Sequence, residues 1–404
     1  MIVALLGVLS ISAVTSAATP QWTELAGKTP WTDQNQVYGL AVAPNGIVYA
    51  VDSLGAVFQW EYQAGWTEID QGKVSASTSS QDVSVSDAPN LMAVNKQGTL
   101  AIVIGNNQAL AFYTHGVWVK VSVPDMAQIE AIGYSPDGTL AVVGQDSSGN
   151  SLIDTIPAPS DIVSAQSLTA NQIEYGKFTP YEPALSLAWS RVGILAVAFY
   201  GDPSGYASNH EAVEEYLHGK WVPIGGPDAT QNRGSGDIPV PNMAFSHQGR
   251  LYVDACEWGS NYLSVYTGTK WKDLGMLCGT VLSPNIVVAG SGVSTLSGTI
   301  LGGDSWSQDK VDAAAEAPNG TIVVAAQGNN LYGLGLDNIY VYGSPAGLAG
   351  SATTASSGSS ATANHKTSPN PAGGSMIEIL KDVALVLLAI AVVVLLWLRR
   401  PRSA

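Results

Sequence analysis

Residues Tyr134–Gly144 read YSPDGTLAVVG and contain the turn signature that indicates the fold. Pro136 presets the backbone of a tight turn, and Gly138 accepts the positive φ that closes it. An apolar run follows the turn, so the stretch predicts an antiparallel hairpin. The arrangement recurs at Ala43–Tyr49, Lys96–Ala101, Ser190–Ala196, Ser246–Tyr252, Ala317–Val323 and, in a decayed form, Ser283–Val288.

Most of these hairpins are followed by a third strand, a short glycine turn and a tryptophan with an apolar residue three positions later. Each repeat therefore holds four short strands in roughly 35 to 55 residues, the spacing expected for propeller blades. A large indole at this point is expected to fill the wedge between neighbouring blades, the alternative being a ligand-stacking role. The pairs are Trp66 with Ile69, Trp118 with Val121, Trp221 with Ile224, and Trp271 with Leu274.

Two repeats depart from this pattern, and the last one is incomplete. The third lacks the Gly-x-Trp turn over 154–179, which predicts an irregular outer strand, and in the sixth Trp306 is followed by polar residues. The last repeat reaches its third strand at Ile339–Gly343 without a tryptophan, whereas Gln21–Leu25 carries the Trp-x-x-apolar signature with no hairpin before it. We therefore expect residues 21–26 to complete the blade that begins at Val311.

These repeats resemble the blades of the β-propeller superfold, and their Gly-x-Trp turns look broadly like those of tectonin-type propellers. The Gly-His and Trp-Asp pairs of WD40 blades and the double glycine of kelch blades are absent. The resemblance implies an all-β, seven-bladed β-propeller over residues 21–343, closed by an N-terminal strand, and it implies no particular function.

Both ends of the chain predict export and anchoring. The apolar run Ile2–Val14 and the small residues after it predict a signal peptide over 1–18, although the missing positive flank leaves an uncleaved anchor as the alternative. The propeller ectodomain spans 19–343, and the Ser-, Thr-, Gly- and Pro-rich segment 344–375 predicts a disordered stalk. Residues 376–398 are apolar enough for a single transmembrane helix, with a core helix as the weaker alternative. Arginines in the tail 399–404 place that tail in the cytoplasm and the propeller outside the cell membrane.

The net charge of the chain argues against nucleic acid as a partner. The 404 residues carry a formal net charge of −15, which repels nucleic-acid phosphates. The expected partners are an extracellular glycan or protein and, through the C-terminal helix, the membrane.

Length variation in the repeats predicts which face of the propeller carries function. The turns within hairpins are short and uniform, so their face is expected to be structural, whereas the opposite face receives the variable loops. Ordinary solvated loops are the alternative. The predicted ligand-binding residues are Asp52, Asn106, Asn107, Asp146, Asp202, Tyr206, Trp258, Asn261, Asn329 and Asn330.

Three functions follow from this prediction. The first is binding of an extracellular ligand, glycan or surface protein. The second is an extracellular hydrolase or lyase acting on polysaccharide or peptide, and the third is a structural component of the cell envelope. Catalysis would use carboxylates around the central mouth, the candidates being Asp52, Asp146, Asp202 and Glu257.

Metal and cofactor chemistry has little support in the sequence. The five histidines, among them His115 and His247 in structural turns, lack metal-ligand spacing. A calcium ion at Asp202, Glu211, Glu214 and Glu215 is the alternative to a solvated acidic loop, but the spacing of a calcium-binding loop is missing. The sequence therefore predicts neither a metal nor a cofactor.

Two covalent modifications are expected outside the cell. Cys256 and Cys278 are the only cysteines, and an exported chain would join them in a disulfide, with free thiols as the alternative. Asn319 begins an Asn-Gly-Thr glycosylation sequon, although its place in a turn explains this residue equally well.

Overall fold

The computed structural model describes residues 21–26, 29–30, 37–52, 55–69, 91–104, 107–123, 125–156, 171–172, 184–199, 213–225, 242–257, 260–276, 281–289, 292–302, 311–327 and 337–348. These residues form seven antiparallel four-stranded sheets, the blades of a β-propeller. The predicted all-β, seven-bladed architecture is confirmed.

The blades are numbered along the chain. Blade 1 comprises β2 (Val37–Val42), β3 (Val48–Asp52), β4 (Val57–Glu61) and β5 (Gly65–Glu68). Blade 2 comprises β6 (Met92–Val94), β7 (Leu100–Ile104), β8 (Ala109–Thr114) and β9 (Val117–Ser122). Blade 3 comprises β10 (Gln128–Tyr134), β11 (Leu140–Gln145), β12 (Ser151–Ile156) and β13 (Asn171–Gln172).

The remaining blades follow the same order. Blade 4 comprises β14 (Ala184–Trp189), β15 (Leu195–Phe199), β16 (Val213–Leu217) and β17 (Lys220–Gly225). Blade 5 comprises β18 (Asn242–Phe245), β19 (Leu251–Glu257), β20 (Ser260–Tyr266) and β21 (Trp271–Met276). Blade 6 comprises β22 (Val281–Ser283), β23 (Ile286–Ala289), β24 (Gly292–Thr295) and β25 (Ile300–Gly302). Blade 7 comprises β26 (Val311–Glu316), β27 (Ile322–Gln327), β28 (Asp337–Tyr342) and β1 (Trp22–Glu24).

The first strands of neighbouring blades contact one another in a closed ring, with β26 of blade 7 next to β2 of blade 1. These strands therefore surround the propeller axis. Because strands alternate in direction, the first and third turns of every blade lie on one face, here called the turn face. The second loops and the connections between blades lie on the opposite face, here called the loop face.

The N-terminal strand closes the ring as predicted. In blade 7, β1 pairs with β28 through Trp22 opposite Tyr342 and Glu24 opposite Tyr340. Beyond the strand, the Leu25 amide donates to the Ile339 carbonyl at 2.8 Å, and the Leu25 side chain is buried. The two ends of the propeller thus hold each other through both backbone pairing and apolar burial.

The repeated tryptophans join adjacent blades. Trp118 Nε1 donates to the Ile69 carbonyl at 3.0 Å, Trp271 Nε1 to the Ile224 carbonyl at 2.8 Å, and Trp22 Nε1 to the Leu301 carbonyl at 3.0 Å. In each case the indole lies at the first or second residue of an outer strand, and the acceptor lies on or just beyond the outer strand of the preceding blade. The tryptophan of the Trp-x-x-apolar signature therefore links a donor in one blade to an acceptor in the preceding blade.

The two irregular repeats, blades 3 and 6, both have short outer strands. Blade 3 has only the two-residue β13 as its outer strand, as predicted. Blade 6 also departs from the pattern, because its outer strand is β25, which begins at Ile300 after a turn at Gly298 and ends before Trp306. The strands of this blade are short, so the last turn comes early; Trp306 lies outside the described residues.

The C-terminal end of the propeller extends beyond the expected boundary at residue 343. Residues 345–348 form one helical turn, and Leu348 is buried in the core shared by blades 7 and 1. Asn319 Nδ2 donates to the Gly347 carbonyl at 3.0 Å. Residues 344–348 therefore pack on the propeller instead of beginning a free stalk.

No helix within the described ranges is long and apolar enough to cross a membrane. The segment 376–398, predicted to be the transmembrane helix, lies outside those ranges, as do the signal peptide over 1–18, the stalk from residue 349 and the tail 399–404.

Candidate binding site at the mouth of the central channel

The seven inner strands enclose a cavity of about 360 Å³ on the propeller axis. The lining comes from the final residues of these strands, such as 132–134 of β10 and 243–245 of β18, and from the turns that follow. The cavity therefore lies towards the turn face, and its rim there is called the mouth. This location differs from the loop face, where the sequence predicted binding.

The wall of the cavity is mainly apolar, whereas the mouth carries aromatic and charged groups. Apolar lining side chains include Leu40, Val42, Met92, Val94, Ile132, Leu187 and Met243. The aromatic and charged residues of the lining are Tyr134, Trp189, Arg191, Phe245, His247 and Glu316. This contrast suits a ligand that places an apolar group in the cavity and a polar group at the mouth.

A histidine and a glutamate meet at the mouth. His247 Nε2 lies 2.7 Å from Glu316 Oε2, and Asn285 Nδ2 donates to Glu316 Oε1 at 3.4 Å. The Glu316 side chain is 8% exposed and that of His247 is 32% exposed. Only the imidazole is thus readily accessible to a ligand from solvent.

The shortened hairpin of blade 6 explains this contact. Ser283 pairs directly with Ile286, so Pro284 and Asn285 alone form the turn, whereas blade 5 uses the longer segment 246–250. His247 belongs to blade 5 and Glu316 to blade 7. The short turn between them leaves space for His247 to reach across blade 6.

Two aromatic residues bound the mouth at blades 3 and 4. Trp189 Nε1 donates to the Gly133 carbonyl at 3.0 Å and joins the two inner strands. A Cβ atom at Gly133 would lie 2.5 Å from Leu187 Cδ1, so glycine permits this close approach. Burial raises the pKa of Tyr134, whose hydroxyl has no hydrogen-bond partner among the described residues.

The predicted catalytic carboxylates do not line this cavity where the structure describes them. Asp52 is 2% exposed at the end of β3, and its Oδ1 accepts from the Ala56 amide at 2.9 Å. Asp146 is exposed, and hydrogen bonds from the Asn150 side chain and from the Asn150 and Ser148 amides lower its pKa. Both carboxylates stabilise loops on the loop face.

Other predicted ligand-binding residues also have backbone roles. Asn107 adopts a φ of 60°, and its carbonyl accepts from the Ile129 amide at 2.6 Å. Asn261 was expected in a loop but pairs with Cys256 inside β20, because β19 and β20 extend to Glu257 and Ser260. The other predicted residues on this face lie outside the described ranges, namely Asn106, Asp202, Tyr206, Trp258, Asn329 and Asn330.

The alternative calcium site divides between described and undescribed residues. Glu214 is buried on β16, and burial raises the pKa of its neighbour Glu215. Asp202 and Glu211 lie outside the described residues. Within the described part of the chain, no three acidic, histidine or cysteine side chains are grouped as metal ligands.

The two modification sites stay predictions. Cys256 lies in β19, but Cys278 is outside the described residues, which contain no disulfide. The Asn319 side chain is exposed and accepts from the Thr321 amide at 3.0 Å. Together with its contact to Gly347, this bond accounts for asparagine at the turn without glycosylation.

Sequence reasoning missed the mouth because the hairpin turns were treated as uniform. They differ at the last residue of the inner strand and at the second residue of the turn. Blades 1 and 2 end the strand with Val42 and Val94, whereas Tyr134, Trp189 and Glu316 take this place elsewhere. The second turn position holds Pro44 in blade 1 and Arg191 or His247 in blades 4 and 5. This variation within an otherwise regular repeat was the available signal.

Comparisons with known proteins assign this chain to no family. No protein-family model and no curated protein matches the sequence. Virginiamycin B lyase from Staphylococcus aureus is 11% identical with a TM-score of 0.49, over 80% of this chain and 99% of the lyase. YCF48 bound to a peptide is 13% identical with a TM-score of 0.47, over 81% and 98%.

The GH74 xyloglucanase from Xanthomonas campestris is 15% identical with a TM-score of 0.41, over 80% of this chain and 45% of the xyloglucanase. Likenesses at this level transfer no substrate, partner or activity to this chain. The chain is identified by its architecture alone, as a seven-bladed β-propeller.

Proposed function

We propose that this chain is a membrane-anchored extracellular binding protein that takes its ligand at the mouth of the central channel. The observation that carries the proposal is the apolar cavity of about 360 Å³ beneath a rim that includes Trp189, Arg191 and His247. Concave apolar sites with a few polar groups at the rim are typical of ligand binding. The apolar segments at both ends of the chain support its export and anchoring.

The size of the cavity constrains what enters it. A volume of about 360 Å³ is at the small end of ligand pockets. It suits a single large side chain or one sugar ring, with the rest of the partner resting on the turn face. An extracellular protein or glycan with one protruding group fits these dimensions.

The proposal is tested with the full-length chain, a displayed peptide library and a glycan array. For a ligand selected on the natural chain, His247→Ala and Glu316→Gln should each weaken binding about tenfold, roughly 1.4 kcal/mol. Asp146→Asn on the loop face is the control and should leave the Kd unchanged. Full binding by both mouth variants together with loss in the control would overturn the proposal.

An extracellular hydrolase or lyase is the second candidate, favoured by the 2.7 Å contact between His247 and Glu316. A histidine in hydrogen-bond contact with a carboxylate can act as a general base or acid. Glu316 is the one carboxylate among the described lining residues, so a glycosidase with two carboxylates facing one pocket has little support there. Polysaccharide or peptide cleavage that both mouth variants abolish would establish this candidate, and cleavage that survives both would remove it.

A further inference from the structure

We propose that the turn face of blades 4 and 5 is a docking surface for an acidic polypeptide segment. This inference rests on the proposed function, because His247 belongs both to this surface and to the mouth. It adds the chemical class of the partner, which the cavity alone does not specify.

The first observation is a concentration of positive charge on these two blades. Their turns on this face are 190–194, 217–220, 246–250 and 267–270, and all four are fully described. They contain four Lys or Arg and no Asp or Glu, a formal charge of +4 with histidine neutral, in a chain of net −15. The cations are Arg191, Lys220, Arg250 and Lys270, all exposed, with His218 and His247 beside them.

The second observation is that, among the described residues, the exposed carboxylates lie outside blades 4 and 5. Asp125 and Asp146 are exposed on the loop face, between β9 and β10 and between β11 and β12. On the turn face, Glu61 is exposed at the third turn of blade 1. The Asp137 carboxylate of blade 3, on the same face, accepts hydrogen bonds from Ser135 and Thr139, and Lys96 is close enough to help lower its pKa. A positive sector on an acidic molecule attracts and orients acidic partners.

The third observation is exposed apolar surface on the same blades. Val192 is 80% exposed at the tip of the blade 4 turn. Val222 of β17 and Leu274 of β21 are 48% and 43% exposed. At the place of Val192 the other five-residue turns carry a polar side chain, namely Asn45, Gln97, Asp137, Gln248 and Asn319.

These observations together favour a polypeptide over other anions. An acidic polysaccharide supplies negative charge but has no aliphatic side chains to cover Val192. An acidic polypeptide supplies carboxylates for Arg191 and Arg250, apolar contacts for Val192, and one side chain for the cavity beside them. Interfaces commonly combine an apolar centre with a charged rim in this way.

The test measures binding of a fluorescent synthetic peptide rich in Glu and Leu to the full-length chain, against a twin with Gln in place of every Glu. We expect the acidic peptide to bind at least tenfold more tightly than its twin, and to weaken as salt rises from about 50 to 300 mM. Heparin and phosphatidylglycerol vesicles serve as competitors that represent anionic glycan and lipid.

Charge variants locate the binding surface. Arg250→Gln with Lys270→Gln should weaken the peptide about tenfold, whereas Lys96→Gln with Lys120→Gln removes the same charge from blade 2 and should change the Kd less than twofold. Val192→Asn, which restores the usual polar residue, should weaken binding severalfold at any salt concentration. None of these side chains is buried, so melting temperatures should stay the same.

Three results would overturn the inference: equal binding of the peptide and its Gln twin, equal loss in the two charge variants, or preference for heparin or vesicles over the peptide. If a selected ligand then still requires His247 and Glu316, the proposed binding function stands and only the partner class fails. If mouth variants also leave that ligand unaffected, both proposals fail.

Discussion

Asp154 on β12 is a buried carboxylate whose ionisation opposes folding. The residue is 4% exposed. Burial raises its pKa to about 6, and the nearby Asp125 carboxylate adds to the shift. Because the folded-state pKa exceeds the unfolded value, the folded state favours the protonated acid. The stability from this preference is complete below about pH 4 and is lost as pH rises through about 6.

Asp154→Asn should therefore stabilise the propeller at neutral pH. The expected gain in free energy of unfolding at pH 8 is about 1 to 3 kcal/mol, from a shift of about two pKa units, with no gain at pH 3.5. Denaturant unfolding at both pH values measures this difference. Asp146→Asn is the control, since the pKa of Asp146 is lowered and its ionised form favours folding. A gain for Asp154→Asn that is equal at both pH values would contradict the assignment.

Close backbone packing requires glycine at Gly144, the last residue of the hairpin stretch Tyr134–Gly144. β10 has a bulge between Ile129 and Ala131, and a Cβ atom on Gly144 would overlap the carbonyl oxygen of Gln128. Gly144→Ala should cost about 2 kcal/mol or more of unfolding free energy. Gly39 flanks the bulge of β2, but its Cβ would meet Met92 Sδ at an ordinary 3.4 Å. Gly39→Ala should thus cost much less, and equal losses in the two variants would contradict this explanation.

Among the secondary-structure elements, the outer strands β9, β21 and β1 are each linked to the preceding blade by a single indole hydrogen bond. Trp118 at the start of β9 also packs against Tyr113, with ring centroids 5.0 Å apart. Its donor reaches the Ile69 carbonyl just beyond β5. The outer strands β9, β21 and β1 are therefore each held both by their own sheet and by the preceding blade.

Trp118→Phe should keep the ring contact and remove this link. We expect a loss of about 1 to 2 kcal/mol in unfolding free energy, from the missing hydrogen bond and the smaller ring. Tyr113→Phe is the control, because it retains the indole and its acceptor. Hydrogen exchange should show faster exchange at 67–69 in the tryptophan variant alone. Unchanged exchange there would show that the link does not hold the strand.

At the scale of the whole molecule, the N-terminal strand is the closure of the ring. Removing Gln21–Leu25 deletes the outer strand of blade 7, the Trp22 bond to blade 6 and the buried Leu25 side chain. The melting temperature should fall by about 10 °C or more, as measured by circular dichroism. Removing only residues before Gln21 is the control. A chain that starts at Thr32 and melts like the natural chain would contradict closure by this strand.

The fold was predictable because its signals are local. Turn residues such as Pro136 and Gly138 specify a hairpin without knowledge of distant contacts. The Trp-x-x-apolar signature at Trp22, which has no hairpin before it, likewise identifies the strand that completes the last blade. The mouth was not predictable in this way. His247 and Glu316 are 69 residues apart and meet because the hairpin at Pro284 is short. The burial of Asp52 likewise depends on neighbouring strands, so a residue expected to face a ligand instead holds a loop.

Hydrogen exchange of the full-length chain with and without a selected ligand would show which face of the propeller binds that ligand. If the ligand binds at the mouth, exchange in the bound state should be slower at 189–194, 246–250 and 283–286, which surround the mouth on the turn face. Slower exchange confined to loop-face segments such as 145–150, with the mouth unchanged, would contradict binding at the mouth.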